Sequence, residues 1–446
     1  MANTYLTKTL GTPTNNKKFT FSCWVKKSGT TGTMDIFHAG ASGSDEAIMC
    51  RFESNGQLTL KHDVGNSQEM LKQSTALYTD PNAWYHIVVV FDTDNSTAED
   101  RQRIYVNGER ITDWASSDNF AGGEDILANK AVSHTIGKRN FDSANYLDGV
   151  LSHVHFCDGQ AYDASYFGST DSTTGEWKIN TSPSVTYGNN GFFILKDGNS
   201  VTDQSGQGNN WTVSGGTLTK TEDCPSNVFA TINRLNVPTS NAPTFSFGNT
   251  KTITMNTDPG YFGGTSTLGA SSGKYYAEFK VTDNNGVGAL GITFDPAEKA
   301  RQGTTFSAQI SDSFIYANNA KQYSTATGTS GSSYGNTYTD NDIIGVAMDL
   351  DNSKLYFHKN GTYQNSGVPT SGSTGTGAIS ITAGETYFFY LTDVGGATAT
   401  YECNFGNGYF GTTAVSSAGT NASNNGIFEY DVPAGYTALS TKGLNL

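Results

Sequence analysis

The sequence is short of the residues on which several protein classes depend. Its five cysteines, Cys23, Cys50, Cys157, Cys224 and Cys403, lie far apart and form no Cys-x-x-Cys pair, so neither a disulfide framework nor a zinc site is expected. No apolar run approaches the roughly 20 residues that span a bilayer. The formal net charge is −14, whereas a protein that binds nucleic-acid phosphates needs a basic surface. We therefore expect no membrane insertion and no nucleic-acid partner.

Proline and regular repeats are also scarce. Only 10 of the 446 residues are proline, while 51 are glycine, 25 phenylalanine and 23 tyrosine. This composition is typical of many short strands joined by tight turns, and the length favours two domains. The sequence contains no heptad, collagen triplet or β-helix repeat, which weakens any assignment as the shaft of a fibre.

One pattern occurs twice along the chain. An apolar strand runs into a turn with two aspartates, and the next strand ends at Asn-Gly: VVVFDTDN and RIYVNG, then IGVAMDLDN and KLYFHKNG. Asx side chains stabilise turns, and Asn107-Gly108 and Asn360-Gly361 suit the positive φ angles of tight hairpins. The duplication predicts two antiparallel meanders.

Residues 1–168 contain the segments FTFSCWVKK, AWYHIVVVFD, RIYVNGERI and LDGVLSHVHFCDGQAYDASYFG. Phe19, Phe21, Cys23 and Val25 share one face of the first strand, so Trp24 points to the other face. Together these segments resemble a laminin-G or concanavalin A-like jelly roll. The resemblance implies a β-sandwich that ends near Gly168.

Residues 237–446 contain GKYYAEFKV, GALGITF, DIIGVAMDLDNSKLYFHKNG, CNFGNGYF and VPAGYTAL. These segments resemble a SPRY domain, which implies a second β-sandwich that binds partners through loops at one edge. The fold class expected for the chain is therefore all-β, with two antiparallel β-sandwich (jelly-roll) domains in tandem. Fold alone leaves the ligand open, because many functions use these scaffolds.

Residues 169–236 are rich in Gly and Asn but also hold bulky residues, which predicts an ordered connector between the two sandwiches. The stretch GNNGFFILKDGNSVTDQSGQGNNWTV, followed by CPSNVFATIN, is similar to a connector found beside such jelly rolls in proteins of marine bacteriophages. The resemblance implies a bacteriophage virion protein.

Catalytic patterns are incomplete. Jelly-roll glucanases supply their carboxylates from one strand as Glu-x-Asp-x-x-Glu, and here only Glu429 and Asp431 match, with Ala434 in the third position. Gly286-Val-Gly-Ala-Leu-Gly291 spells a dinucleotide fingerprint but leads into a strand pattern. Gly269-Ala-Ser-Ser-Gly273 spells a nucleophile elbow but lies in a loop before a strand. We predict that the protein is not an enzyme.

Two features leave a metal site open, although no cofactor is required by the sequence. Asp92 and Asp94, with Glu99 and Asp100 nearby, have the clustered oxygens of a calcium site, but neither aspartate pair continues as an EF-hand, and the alternative is an Asx turn. His153 and His155 alternate along one strand pattern, a spacing that metals can use. Without an evident third ligand, packed or solvated histidines are the alternative.

Aromatic residues in loop-like surroundings rich in Asp, Asn and Gly are candidates for ligand binding. Sugar rings stack on aromatic rings beside such hydrogen-bonding side chains. The candidates are Trp114, Phe120, Tyr146, Tyr334 and Tyr338. Each of them is also suited to anchor its own loop or a neighbouring virion subunit.

The functional prediction combines these observations. The chain is expected to be a phage virion structural protein, a tail-fibre or receptor-binding component that recognises a host-surface glycan or protein without catalysis. A capsid decoration or other head-associated protein is the alternative, and a glycan depolymerase fits least. Because MANTYLTKTLG lacks the features of a signal peptide, we expect assembly into the virion in the host cytoplasm. Its partners would be other virion proteins and copies of itself, with a trimer typical of fibres.

Overall fold

The computed structural model describes residues 3–29, 32–40, 46–65, 67–196, 200–239, 242–254, 262–300, 305–393, 398–421 and 423–445. The chain divides into two compact units, Met1–Lys220 and Thr221–Leu446. Their regular secondary structure is mostly antiparallel β-strand, so the predicted all-β class is confirmed. In the ranges just given, no helix is long and apolar enough to cross a membrane.

The strands of the first unit form two large sheets. The larger has the order β10-β6-β5-β4-β3-β11-β1-β16, the second has the order β15-β12-β2-β7-β8-β9, and β13 pairs with β14. The strands are β1 (Tyr5–Thr9), β2 (Lys18–Lys27), β3 (Met34–Gly40), β4 (Glu46–Phe52), β5 (Gln57–Val64), β6 (Ser67–Leu77), β7 (Trp84–Asp92), β8 (Gln102–Val106), β9 (Glu109–Arg110), β10 (Trp114–Asp118), β11 (Ser133–Ile136), β12 (Gly149–Asp158), β13 (Gly168–Thr170), β14 (Trp177–Ile179), β15 (Phe192–Ile194) and β16 (Thr212–Ser214).

The core of the first unit lies between its two large sheets. Phe19, Phe21, Cys23 and Val25 of β2 are buried there, as their two-residue spacing predicts. Trp24 lies on the opposite face, where it stacks on His86 of β7 with ring centroids 4.8 Å apart. The prediction that Trp24 points away from the core is confirmed, although its side chain is buried rather than exposed.

The outer face of the second sheet is covered by the chain that follows β12. Val88, Val90 and Cys157 form a separate apolar cluster with Phe167 of this covering segment, and Trp177 packs against it. The predicted connector, residues 169–236, is thus divided between the units: β15 pairs with β12, β16 pairs with β1, and the boundary falls after Lys220.

The second unit also has two large sheets. One has the order β17-β18-β30-β20-β25-β26-β27, with β28 also paired to β26 and β33 to β20; the other has the order β19-β29-β21-β22-β23-β24, and β31 pairs with β32. The strands and helices are β17 (Thr244–Ser246), β18 (Lys251–Ile253), β19 (Phe262–Thr265), β20 (Lys274–Asn284), β21 (Gly288–Thr293), α1 (Pro296–Lys299), α2 (Phe306–Ile310), β22 (Ser313–Ala317), β23 (Lys321–Tyr323), β24 (Ser332–Ser333), β25 (Ile343–Asp349), β26 (Lys354–Lys359), β27 (Thr362–Tyr363), β28 (Ile379–Ser380), β29 (Phe388–Asp393), β30 (Ala399–Asn404), β31 (Tyr409–Phe410), β32 (Thr413–Ala414) and β33 (Thr437–Ala438).

The duplicated hairpins form in both units. Asn107 and Asn360 have φ angles of 49° and 48° and are followed by glycines at 85° and 82°, the geometry that two-residue hairpins require. In the first unit the side-chain Oδ1 of Asn107 accepts the His86 N–H at 2.8 Å. Asn360 accepts the Ile343 N–H at the same distance. The predicted meanders are confirmed, and each asparagine extends the strand ladder with its side chain.

A buried carboxylate fixes the end of the second unit to its sheet. Glu278 on β20 is completely buried and accepts the backbone N–H groups of Glu429 and Tyr430 at 2.8 Å each. It also accepts the Tyr276 hydroxyl at 2.9 Å and the Asn404 amide at 3.2 Å. Because every hydrogen-bonding partner is a donor, this position requires a carboxylate.

Candidate functional site

A groove of about 450 Å³ lies at one end of the sandwich in the second unit. It lies beside the ends of β21 and β22, which belong to one sheet, and beside the segment that follows β28 of the other sheet. We call it the end groove. Its lining residues are Phe294, Asp312, Ser313, Phe314, Ser324, Thr325, Ala326, Ser380, Ile381 and Thr382.

Two phenylalanine rings form the apolar part of the end groove. Phe294 and Phe314 are partly exposed, and both pack against buried Tyr387, with ring centroids 5.5 Å and 6.3 Å away. The Tyr387 hydroxyl donates to the Thr382 carbonyl at 2.9 Å. The rings therefore rest on the core rather than on a mobile loop, which gives the groove a fixed apolar surface.

Asp312 supplies the one charged side chain among the lining residues. Its φ angle of 52° is uncommon for a residue with a side chain. Three contacts fix this backbone: the carbonyl of Asp312 accepts from Phe294 N–H at 3.0 Å and from the Thr293 hydroxyl at 2.9 Å, and its N–H donates to Thr325 at 3.3 Å. In the described part of the chain the carboxylate accepts no hydrogen bond, so it is available to a ligand.

The hydroxyl groups of the lining differ in availability. Ser313 donates into the protein, to the carbonyls of Gln309 and Ser311, and Ser380 accepts from Lys354 at 3.1 Å. Thr325 and Thr382 are exposed. The groove therefore combines two aromatic faces, one carboxylate and two exposed threonines.

A buried lysine lies behind Asp312 without entering the groove. Lys299 at the end of α1 is fully buried and donates its Nζ hydrogens to the carbonyls of Ala308, at 2.7 Å, and Ser311. Burial lowers the pKa of Lys299 to about 8, although the Asp312 carboxylate acts in the opposite direction. Its hydrogen bonds hold the turn after α2, so Lys299 positions the backbone on which Asp312 sits.

Three of the five predicted aromatic residues are not exposed. Phe120, Tyr334 and Tyr338 are at most 6 % exposed, so their assignment as stacking platforms is wrong. Phe120 packs on Phe91 at 5.4 Å, and Tyr338 donates its hydroxyl to the Gly288 carbonyl at 2.8 Å. Surroundings rich in Asn and Gly indicated loops correctly, but these aromatic side chains anchor the loops to the cores.

Trp114 and Tyr146, the other two, remain partly exposed. The Lys72 ammonium lies 5.2 Å from the Trp114 ring centre. Tyr146 contacts the Tyr5 ring edge-on at 6.1 Å and has Lys138 at 5.7 Å. Both belong to the first unit, and neither contributes to the end groove. Their role in ligand binding stays a prediction.

The predicted calcium ligands make ion pairs with lysines. Asp92 lies 3.1 Å from Lys18, and Asp94 lies 3.4 Å from Lys17. The second copy repeats the first arrangement, since Asp349 lies 3.0 Å from Lys274 on the neighbouring strand. Among the residues that the structure describes, no three acidic, histidine or cysteine side chains lie close enough together to hold a metal.

The two histidines of β12 are packed inside the first unit. A bulge lies between Ser152 and His155, and His153 within it has a φ angle of 49°, which breaks the simple alternation. Both imidazoles contact the Phe193 ring, at 5.9 Å and 3.9 Å. Burial lowers the pKa of His155 well below its usual value, so His155 is neutral.

Sequence reasoning missed one serine–histidine pair, because Ser22 and His86 lie far apart in the chain. Ser22 Oγ and His86 Nε2 are 2.9 Å apart, as in a nucleophile and its base. However, Trp177 donates its indole N–H to His86 Nδ1 at 2.9 Å, so Nε2 carries the proton and donates to Ser22. Burial lowers the pKa of His86 to about 3. The pair therefore cannot activate Ser22.

Glu429 and Asp431, the partial glucanase match, also have structural partners. The Glu429 carboxylate accepts from the Ser416 N–H at 2.6 Å, and Asp431 accepts from the Thr420 N–H and hydroxyl at 2.6 Å and 2.8 Å. Both carboxylates hold the 416–420 segment. Neither lines the end groove.

Comparison with known proteins gives one family match in each unit. Residues 2–165 match the family model of the Concanavalin A-like lectin/glucanases superfamily, and residues 274–385 match that of the SPRY domain. No curated protein gives a match to the chain. Neither family match bears on the predicted bacteriophage origin, which stays a prediction.

Several solved structures match the chain at low sequence identity. A native heptameric SAP-like pentraxin from Limulus polyphemus is 18% identical with a TM-score of 0.30, over 49% of this chain and 91% of that one. The SPRY domain of human HERC1 is 15% identical with a TM-score of 0.23, over 34% and 81%. Domains LG4-5 of the mouse laminin alpha1 chain are 9% identical with a TM-score of 0.29, over 97% and 92%. The two family matches place the similarity to a concanavalin A-like lectin in the first unit and the similarity to a SPRY domain in the second.

Proposed function

We propose that the protein is a non-catalytic receptor-binding component of a phage virion, of the tail-fibre class, whose second unit binds a host-surface glycan or protein in the end groove. The observation that carries the binding role in this proposal is the groove itself. It presents two partly exposed phenylalanines beside a carboxylate with no hydrogen bond from the described residues. Concave sites with apolar walls and a few placed polar groups are typical of ligand binding.

The chemistry of the groove supports binding rather than cleavage. Glycoside hydrolysis uses two carboxylates on either side of the scissile bond, and Asp312 is the only acidic residue of the lining. The Ser22–His86 pair is buried and in the wrong tautomer for a base. Glu429 and Asp431 hold a loop. The catalytic groups that a jelly-roll hydrolase needs are therefore not assembled by these residues.

The rigidity of the site also supports recognition. The Tyr387 side chain supports both rings, and three backbone contacts hold Asp312 in its φ of 52°. A site held in its binding geometry loses less conformational entropy when the ligand arrives.

Immunogold electron microscopy of intact particles with antibody against this chain tests its placement. Label at the tail periphery is expected. Label over the head would contradict the tail-fibre assignment and favour a capsid decoration, the alternative already named. The binding role is tested separately by incubating purified full chain with host cells and measuring the bound fraction, which should fall when unlabelled full chain is added in excess.

A further inference from the structure

We propose that the end groove binds a saccharide that carries no negative charge, either a neutral pyranose or one that bears an amine. This inference rests on the proposed function and specifies its ligand. The groove volume of about 450 Å³ falls within the roughly 300–1,000 Å³ of small-molecule sites. It suits the end of a glycan chain rather than a folded partner domain.

The apolar part of the lining fits a sugar ring. Phe294 and Phe314 lie on adjacent antiparallel strands or their ends, since Ile292 of β21 pairs with Phe314 of β22. Both rings pack on Tyr387 and keep part of their surface open to solvent. The C–H face of a pyranose stacks on such aromatic surface while its hydroxyls point outward to polar groups.

The polar part of the lining favours a sugar without a negative charge. The ten lining residues include no lysine, arginine or histidine, and their only ionised group is the Asp312 carboxylate. A uronic or sialic acid would bring a second carboxylate against this one, and like charges at short distance oppose binding. The ammonium groups beside the groove are hydrogen-bonded to other partners, Lys299 to the carbonyls of Ala308 and Ser311 and Lys354 to Ser380. A sugar hydroxyl or ammonium group, in contrast, donates to Asp312.

A peptide strand is a less suitable occupant. Peptides commonly bind by adding a strand to a free sheet edge. The groove strand β22 is already paired on both sides, with β21 and with β23. A peptide in the groove would therefore lack main-chain partners from this strand and would depend on side chains alone.

The test is a titration of purified full chain against three panels of reducing-end-labelled oligosaccharides. One panel is neutral (glucose, galactose and N-acetylglucosamine oligomers), one is amine-bearing (glucosamine oligomers), and one is acidic (uronic and sialic acid termini). Two groove variants are compared with the parent: Asp312→Asn, which keeps the side-chain shape and tolerates positive φ, and Phe314→Leu, which keeps apolar bulk without the ring. Phe141→Leu in the first unit, an exposed phenylalanine outside the groove, is the matched control.

Binding to the neutral or amine-bearing panel is expected, at least tenfold weaker in both groove variants and unchanged in Phe141→Leu. Asp312→Asn should weaken the amine-bearing ligands more than the neutral ones. Because Phe314→Leu changes a partly buried position, its unfolding midpoint is measured in parallel, and Asp312→Asn alone decides the outcome if that midpoint falls.

The inference would be overturned if the acidic panel bound as tightly as the neutral and amine-bearing panels. It would also be overturned if Asp312→Asn left saccharide binding unchanged. If no saccharide binds but the full chain still adheres to host cells and Asp312→Asn reduces that adhesion, the ligand is a protein. That result would reject the saccharide and leave the proposed function standing. If the chain binds no saccharide and does not adhere to host cells, both the saccharide inference and the proposed function are rejected.

Discussion

Glu278→Gln gives the sharpest test of how the second unit is held together. The carboxylate accepts four hydrogen bonds, two at each oxygen, and each oxygen meets one backbone N–H and one side-chain donor. In glutamine one oxygen becomes an amide nitrogen, which cannot accept. Whichever way the amide turns, two donors, one of them a backbone N–H, lose their acceptor.

The magnitude follows from these two lost bonds. Hydrogen bonds to a charged group contribute about 1.5–3 kcal/mol each, and the uncharged amide recovers part of this because its burial costs less than that of a carboxylate. The expected loss of unfolding free energy is about 2–4 kcal/mol. Burial raises the pKa of Glu278 to about 7, so the measurement is made at pH 8, where the parent carboxylate is ionised.

The distribution of tryptophan separates the two units in a urea titration. All five tryptophans lie in the first unit: Trp24, Trp84, Trp114, Trp177 and Trp211. Tryptophan fluorescence therefore follows the first unit. Far-UV circular dichroism reports the unfolding of both units. A transition that appears in circular dichroism but not in fluorescence therefore belongs to the second unit.

With an m-value of about 2 kcal/mol/M, Glu278→Gln should lower the second unit's midpoint by about 1–2 M urea and leave the fluorescence transition in place. Glu402→Gln is the matched control, because Glu402 lies on β30 and makes a partly exposed ion pair with Lys251 at 2.9 Å, worth about 1 kcal/mol or less. Equal shifts for the two variants, or a shift in fluorescence as well, would refute the reasoning.

Three further predictions use the same titration. Asn360→Ala removes the acceptor of the Ile343 N–H and a residue suited to φ of 48°, so unfolding free energy should fall by about 1–2 kcal/mol; no change would contradict the ladder role of the side chain. A Cβ at Gly345 would lie 1.9 Å from His358 Nε2, so Gly345→Ala should destabilise the second unit by about 3 kcal/mol or prevent folding; a parent-like midpoint would exclude the clash. Burial raises the pKa of Asp35 from 3.8 to about 7, so the folded chain retains a proton that the unfolded chain loses, and stability falls as pH rises between these values. Asp35→Asn should reduce this pH-dependent loss of unfolding free energy by up to about 1.4 kcal/mol per pH unit. Parallel plots of unfolding free energy against pH for the parent and the variant would contradict this prediction.

The sequence predicted the parts of the fold that depend on local pattern. The strand faces of β2 follow a two-residue period, and Asn107-Gly108 and Asn360-Gly361 have few conformational alternatives to a tight turn. The unit boundary was harder to predict. β15 and β16 lie in the stretch predicted as a connector, yet they pair with β12 and β1, and such long-range pairing leaves no local signal.

The candidate site was largely beyond sequence reasoning. Aromatic residues in polar loops were expected to face solvent, but Phe120, Tyr334 and Tyr338 fill the cores, since an aromatic side chain in a loop is as well suited to anchor it as to bind a ligand. The end groove joins four segments separated by up to 88 positions, from Phe294 to Thr382. The positive φ of Asp312 could not be predicted either, because it depends on three contacts with residues elsewhere in the fold.

A crystal structure of the full chain soaked with the neutral and amine-bearing oligosaccharides tests the central claim most directly. The account predicts an intact sugar with one ring against Phe314 and a hydroxyl or amine within hydrogen-bonding distance of Asp312. Sugar density confined to the first unit, a cleaved product, or an empty end groove under these conditions would contradict it.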